Sequence, residues 1–357
     1  MTSDIGQIPT DSPLRQVPAD YCPPGAARWH TLAGGPDAGR TLFYYDCIVG
    51  DGSPEATVLF VHGNPECSYT YRHIRDALIA AGRPLRLVAV DHLGFGLSDQ
   101  ARFEMVDFHH ARNLGELVRH LDLDGITLVV HDWGGPIGIG AFLDEPARVS
   151  HLLLMNTAVF PMPSEGYTYA NWPIPWLPWC RTPSVVPDRL WGGVAAYVVS
   201  HAEPQSRAAF LAGVLGYLGK HALRRFQPGT PEAVWSDQMR SVANARASKR
   251  HVRQTPVWGH GYRYRDPRHG LQDNRDFYRR LHRLVPEAWG PQGRNIGVAG
   301  YFGAWDPCGK SEVIHQWQKA LPQMRDRTHE YPDHGHFIEE YKGPEMARSI
   351  LELNGLA

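Results

Sequence analysis

The sequence predicts an α/β fold: a mostly parallel central sheet flanked by helices, with an inserted, mainly helical cap. Three observations predict it. Short apolar runs of buried-strand length alternate with stretches of helical periodicity in both the first and the last part of the chain. The alternation breaks over residues 160–291, which open with the Pro-rich "YTYANWPIPWLPWC" and continue as helical stretches. One run, "ITLVVHDWGG", passes from strand through a tight turn directly into a helix.

In chain order, residues 1–38 are polar and Pro-rich and read as a leader. "TLFYYDCIV" (41–49) reads as the first strand. "TVLFVH" (57–62), "LRLVAVD" (85–91), "ITLVVHD" (126–132), "VSHLLLMNT" (149–157) and "NIGVAGYF" (295–302) are continuous apolar runs, as expected of strands covered on both faces. Helices fit at 70–81, 106–121, 135–144 and 311–320. The core is therefore expected over 39–159 and 292–357. The cap is expected over 160–291, laid over the strand ends where open α/β sheets bind ligands.

With 357 residues, 43% of them hydrophobic, the chain can bury one large core or two. Its net charge of −1 supplies no overall field for nucleic acid or membrane. The five cysteines (Cys22, Cys47, Cys67, Cys180, Cys308) are scattered, without a CxxC pair, so neither a zinc site nor a redox dithiol is indicated. A reduced, cytoplasmic setting fits that usage, and no apolar stretch is long enough for a membrane span. Residues 201–290 hold sixteen Lys/Arg against seven Asp/Glu. That surplus reads first as a solvated basic surface; the alternative is a cap that attracts an anionic substrate or an acidic partner.

The chemistry concentrates at "VVHDWGG" (129–135). Asp132 ends a strand, and Trp133, Gly134 and Gly135 lead into a helix, the context of a nucleophile elbow. An Asp at such a turn also serves as a helix N-cap. "HGNP" (62–65) follows the strand "TVLFV", and "DHLGFGLSD" (91–99) follows the next one. In this order and spacing the motifs resemble the α/β-hydrolase superfamily over residues 40–160 and 292–357. Val130 replaces the first Gly of the G-x-S-x-G form, as in the aspartate-nucleophile branches.

The resemblance implies the remaining parts. The loop "GAWDPCG" places Asp306 where the family holds its triad acid, and "DHGHFIEE" offers His336 in the G-H-F pattern, with His334 as a rival. Asn156 stands where some relatives carry an acidic triad member, so Asp306 has no competitor there. A carboxylate of ordinary pKa, about 3.9, is ionised at neutral pH and attacks without a base. Against a saturated carbon it forms a stable ester, which His336, oriented by Asp306, would open with water.

Asn64 and Trp133 each carry a side-chain N–H suited to a departing halide, and the pair resembles that of the haloalkane dehalogenases. The loop of Asn64 and the N–H after Asp132 would form the oxyanion hole. Two further branches share these parts. The β-lactone decarboxylases of olefin biosynthesis match Asp, Trp, Asn, His and acid. The epoxide hydrolases share the Asp-Trp pair but usually have an aromatic residue at the position of Asn64. An inactive fold acting as receptor or scaffold is disfavoured by the complete set. The expectation is a haloalkane dehalogenase-like hydrolase of a small hydrophobic or amphipathic substrate. No cofactor and no metal are implied, and the oligomeric state is left open.

Overall fold

In the computed structural model, which describes residues 5, 8, 11–201 and 203–357, an eight-stranded sheet runs through the molecule. Its strands are β1 (Ala27–Thr31), β2 (Thr41–Val49), β3 (Ala56–Val61), β4 (Leu85–Val90), β5 (Ile126–His131), β6 (Val149–Met155), β9 (Gly297–Gly303) and β10 (Thr328–Tyr331). Their order is β1-β2-β4-β3-β5-β6-β9-β10. β1 pairs antiparallel with β2 and β2 antiparallel with β4, while every pairing from β4 to β10 is parallel. The central strand β5, "ITLVVH", is buried at every position. A sheet covered on both faces selects such continuous apolar runs.

Helices α1 (Arg72–Ala81), α2 (Asp107–His120), α3 (Gly134–Gly140), α10 (Ser311–Ala320) and α11 (Glu339–Leu353) cover the sheet. α3 is shorter than the expected 135–144, ending before "FLDEP". β1 falls inside 1–38, so the expected leader is corrected: its last third already belongs to the sheet, pairing Ala27 with Tyr45 through Thr31 with Thr41. Residues 1–4, 6, 7, 9 and 10 of that stretch lie outside the described residues.

Between β6 and β9 the chain leaves the sheet. This segment holds α4 (Thr182–Val185), α5 (Trp191–Ser200), α6 (Arg207–Leu223), α7 (Pro231–Gln238), α8 (Val242–Gln254), α9 (Arg275–Leu284) and a small hairpin of β7 (Arg263–Asp266) and β8 (Gly270–Asp273). The cap closes over the C-terminal strand ends through aromatic contacts. Trp258 stacks on Trp133 at 3.9 Å between ring centroids and Trp235 on Phe337 at 4.2 Å. Trp172 donates its indole N–H to the Trp305 carbonyl at 2.8 Å. α9 returns to the core before the expected residue 292: the Tyr278 hydroxyl donates to Asp107 of α2 at 2.6 Å. No helix among the described residues is long and apolar enough to cross a membrane.

Candidate active site

β3 and β5 lie side by side at the centre, where the strand order reverses, and such a switch point opens a crevice at the strand C-termini. The sequence-predicted residues converge there. Asn64 follows β3, Asp132 follows β5, Asp306 follows β9 and His336 follows β10. Asp132 takes φ +50, the left-handed region that non-glycine residues rarely adopt. Its carbonyl is held in that turn by the Thr157 hydroxyl at 2.6 Å and the Gly135 N–H at 3.1 Å. The glycines after it are required by space. A Cβ at Gly134 would run into the Val61 carbonyl, and one at Gly135 into the Thr157 hydroxyl.

The two carboxylate oxygens of Asp132 have different partners. Oδ1 accepts the Asn64 backbone N–H at 2.6 Å, whereas Oδ2 faces His336 Nε2 at 3.4 Å. His336 Nδ1 lies 2.8 Å from Asp306 Oδ2. Asp306 is fixed in turn: Oδ1 accepts the Cys308 N–H at 2.7 Å and the Tyr169 hydroxyl at 3.2 Å. All three triad members are buried. His334, the rival histidine, points elsewhere, its ring edge-on to Tyr331 and Tyr341.

Charge follows from this geometry. Burial opposes ionisation of Asp132, but the His336 hydrogen bond and charge, then the charge of His131, outweigh it and hold the carboxyl below its ordinary value. Burial likewise disfavours a charged His336, yet Asp306 and Asp132 on its two sides raise it well above the ordinary histidine value. The two flanking acids thus favour the protonated form of His336.

Asn156, where an acid was considered, does a positioning job. Its Nδ2 donates to the Gly335 and His336 carbonyls at 2.9 and 2.7 Å, and its Oδ1 accepts the Gly303 N–H at 2.9 Å. That ties the histidine loop to the end of β9.

Sequence reasoning missed a buried charge cluster beneath His336. His131, the last residue of β5, places Nδ1 2.7 Å from Glu66 Oε1 and 3.5 Å from Glu339 Oε1. Its Nε2 lies 2.9 Å from the His336 carbonyl oxygen. The Thr70 hydroxyl donates to Glu339 at 2.6 Å. Burial works against the charge on His131, but Glu339 and Glu66 win and push it up to about 9. Glu66, His131 and His336 bring metal-ligand atoms within 4.8 Å of one another. His131 Nε2 and His336 Nδ1 are turned to protein acceptors, while His131 Nδ1 and His336 Nε2 face the carboxylates of Glu66 and Asp132 at 2.7 and 3.4 Å. The only sequence signal was that Glu66 and His131 flank the "HGNP" and "DWGG" motifs.

The surroundings of Trp133 were also missed. Its ring, stacked on Trp258, lies 5.5 Å from His251, whose Nδ1 is 3.4 Å from the Ala247 carbonyl and whose Nε2 is buried without a partner. Burial lowers His251 to about 4, so it is neutral at neutral pH. The Trp258 indole N–H and the Asn64 side-chain oxygen are likewise buried and unpartnered. The site therefore keeps spare polar groups around a carboxylate nucleophile. A groove of about 430 Å³ reaches His336 from outside, lined by Val199, His201, Glu203, Trp235 and His334.

The family model described as alpha/beta hydrolase fold matches residues 56–342, and the chain belongs to that family. Among curated relatives, a cis-3-alkyl-4-alkyloxetan-2-one decarboxylase of Shewanella oneidensis is 30% identical over 328 residues, 87% of this chain and 84% of the relative. A second such decarboxylase, from Xanthomonas campestris, is 37% identical over 147 residues, 39% of this chain and 45% of that protein's length. A haloalkane dehalogenase of Mycolicibacterium paratuberculosis is 28% identical over 322 residues, 87% of this chain and 86% of the relative. Among solved structures, the haloalkane dehalogenase DpaA from Paraglaciecola agarilytica shares the fold with a TM-score of 0.58 at 21% identity, covering 98% of this chain and 96% of that one. The protein is an enzyme of the hydrolase fold whose relatives act on small organic molecules.

Proposed function

We propose that the protein is a haloalkane dehalogenase-like hydrolase that displaces an anion from a saturated carbon through a covalent Asp132 ester. The observation that carries this reading is the division of labour between the Asp132 oxygens, Oδ1 on the Asn64 N–H and Oδ2 toward His336. Oδ2 attacks the substrate carbon, the carbon–halogen bond breaks, and its electron pair leaves with the halide. The Asn64 side chain and the Trp133 indole N–H receive that anion. Esterification removes the charge of Asp132. His336 then loses one of the two carboxylates that held its proton, releases it, and becomes the base for water. Water attacks the ester carbon while Oδ1, already on the Asn64 N–H, takes the negative charge. Alcohol, halide and a proton leave, and the carboxylate is restored. Purified protein should release bromide and alcohol in equal amounts from a small bromoalkane, and Asp132→Ala should release neither. Inertness toward every haloalkane offered, with turnover of a β-lactone, would refute the dehalogenase assignment.

That β-lactone reading is the second one, favoured by the Shewanella relative's identity across most of both chains. There Asp132 would open the lactone at its ring carbon, and loss of CO2 from the freed carboxylate would expel Asp132 and leave an olefin. No water is consumed. The Asp306–His336 pair is common to both branches, so the products separate them: halide and alcohol for hydrolysis, olefin and CO2 for decarboxylation.

A further inference from the structure

Helix α6, Arg207–Leu223, is apolar around its circumference, a pattern that ordinarily marks a buried helix. Yet of its seventeen residues only Phe210 and His221 are buried. Leu211, Leu215 and Leu223 are 47%, 68% and 62% exposed. Trp176, 43% exposed, extends the same apolar area, its ring edge-on to Phe210 at 6.3 Å. Such a face invites a cover.

The charges select the cover. Arg207 opens the helix, and Lys220, Arg224 and Arg225 stand exposed at its end. No Asp or Glu occurs from 204 to 231. The nearest acids, Glu203 and Glu232, line the groove beside the helix. In a second copy packed through α6, an antiparallel pairing would set Arg207 against Lys220, Arg224 and Arg225, and a parallel pairing would set each cation against itself. Like charges meet in both. An anionic bilayer accepts the apolar face and all four cations together, with the exposed tryptophan at headgroup level.

We propose that α6 docks the protein on an anionic lipid bilayer surface, lying in the headgroup layer with Leu211, Leu215 and Leu223 turned into it. This gives four of the sixteen Lys/Arg of residues 201–290 a function. The groove that reaches His336 opens beside the connection from α5 to α6, at Val199, His201 and Glu203, so docking sets its mouth near the lipid. An apolar substrate dissolved in the bilayer then has a short path to the catalytic centre. Docking stands apart from the chemistry proposed above, since a catalytically dead protein would still bind.

The test is flotation of the purified full chain with vesicles of phosphatidylcholine alone and of phosphatidylglycerol. The protein should float with the anionic vesicles only and be released by high salt, because screening weakens exposed cations. Leu215→Glu should weaken binding by about tenfold or more, the cost of withdrawing one leucine from the lipid. Its melting temperature and its turnover of a water-soluble substrate should match wild type. Absence from the anionic vesicles, or equal binding by Leu215→Glu, overturns the proposal. A wild-type dimer in light scattering that Leu215→Glu splits into monomers also overturns it and assigns the face to a second copy.

Discussion

His131→Gln removes the one cation from a fully buried cluster and leaves Glu66 facing Glu339, whose carboxyl is already pushed up to about 7 by burial. Deleting one partner of a buried ion pair costs about 3–5 kcal/mol, because the remaining charge has neither water nor counterion. The rise of His131 from 6.5 to about 9 leads to the same scale. At 1.36 kcal/mol per pKa unit it corresponds to about 3 kcal/mol. The pH dependence has a definite sign. A histidine with a raised folded pKa stabilises fully below its unfolded value of 6.5, and that stabilisation is lost as pH rises to about 9. Wild type and His131→Gln should therefore differ by about 3 kcal/mol near pH 6.5 and converge above pH 9. Urea denaturation followed by tryptophan fluorescence, repeated across that range, reads the gap directly. Glu339→Gln supplies a second check: without the largest attraction on His131, the alkaline loss should move to lower pH. A gap that stays constant with pH, or one below about 1 kcal/mol near pH 6.5, would refute the charged cluster.

Three further outcomes follow from the site. Asp132→Ala should abolish turnover, about 10⁴-fold or more, in protein whose circular dichroism spectrum shows it folded; near-normal activity would mean the wrong nucleophile. Asp306→Asn should slow ester hydrolysis by about 10³–10⁴ while leaving ester formation nearly unchanged, which single-turnover kinetics would resolve, because only the second half needs an oriented base. Asn156→Ala strands the buried Gly303 N–H and removes a donor from the His336 carbonyl; about 1–3 kcal/mol of stability should go, measured by denaturant midpoint, together with slower ester hydrolysis.

The sheet was legible wherever strands are buried on both faces, because apolar runs such as "ITLVVH" and "VSHLLLM" leave no polar face to dilute the pattern. It was illegible at the edges. β10, "THEY", has four residues and no fully buried position, and β1, "ARWHT", hides in a Pro-rich context. The β7–β8 hairpin has four residues per strand with only Tyr264 and Leu271 apolar, too little for a strand signal. At the site, Asp132, Asp306 and His336 were visible because each follows a strand inside a short motif. Glu66, His131 and Glu339 were not, because only folding brings them together and each alone reads as an ordinary motif or helix residue. His251 and Trp258 were invisible for the same reason, since the cap that carries them has no pattern tying it to Trp133.

The central claim is a covalent ester on Asp132, and trapping it is the most direct test. His336→Phe removes the base but leaves the nucleophile, so attack on a haloalkane should proceed and hydrolysis should stop. Intact and peptide mass spectrometry should then show the alkyl group, less one proton, on the peptide containing Asp132, with about one equivalent of halide per protein. A β-lactone should instead yield an opened-lactone adduct or olefin and CO2, without halide. If the variant carries no adduct and forms no product from haloalkanes, β-lactones or epoxides while wild type turns one of them over, the Asp132 ester is not on the pathway.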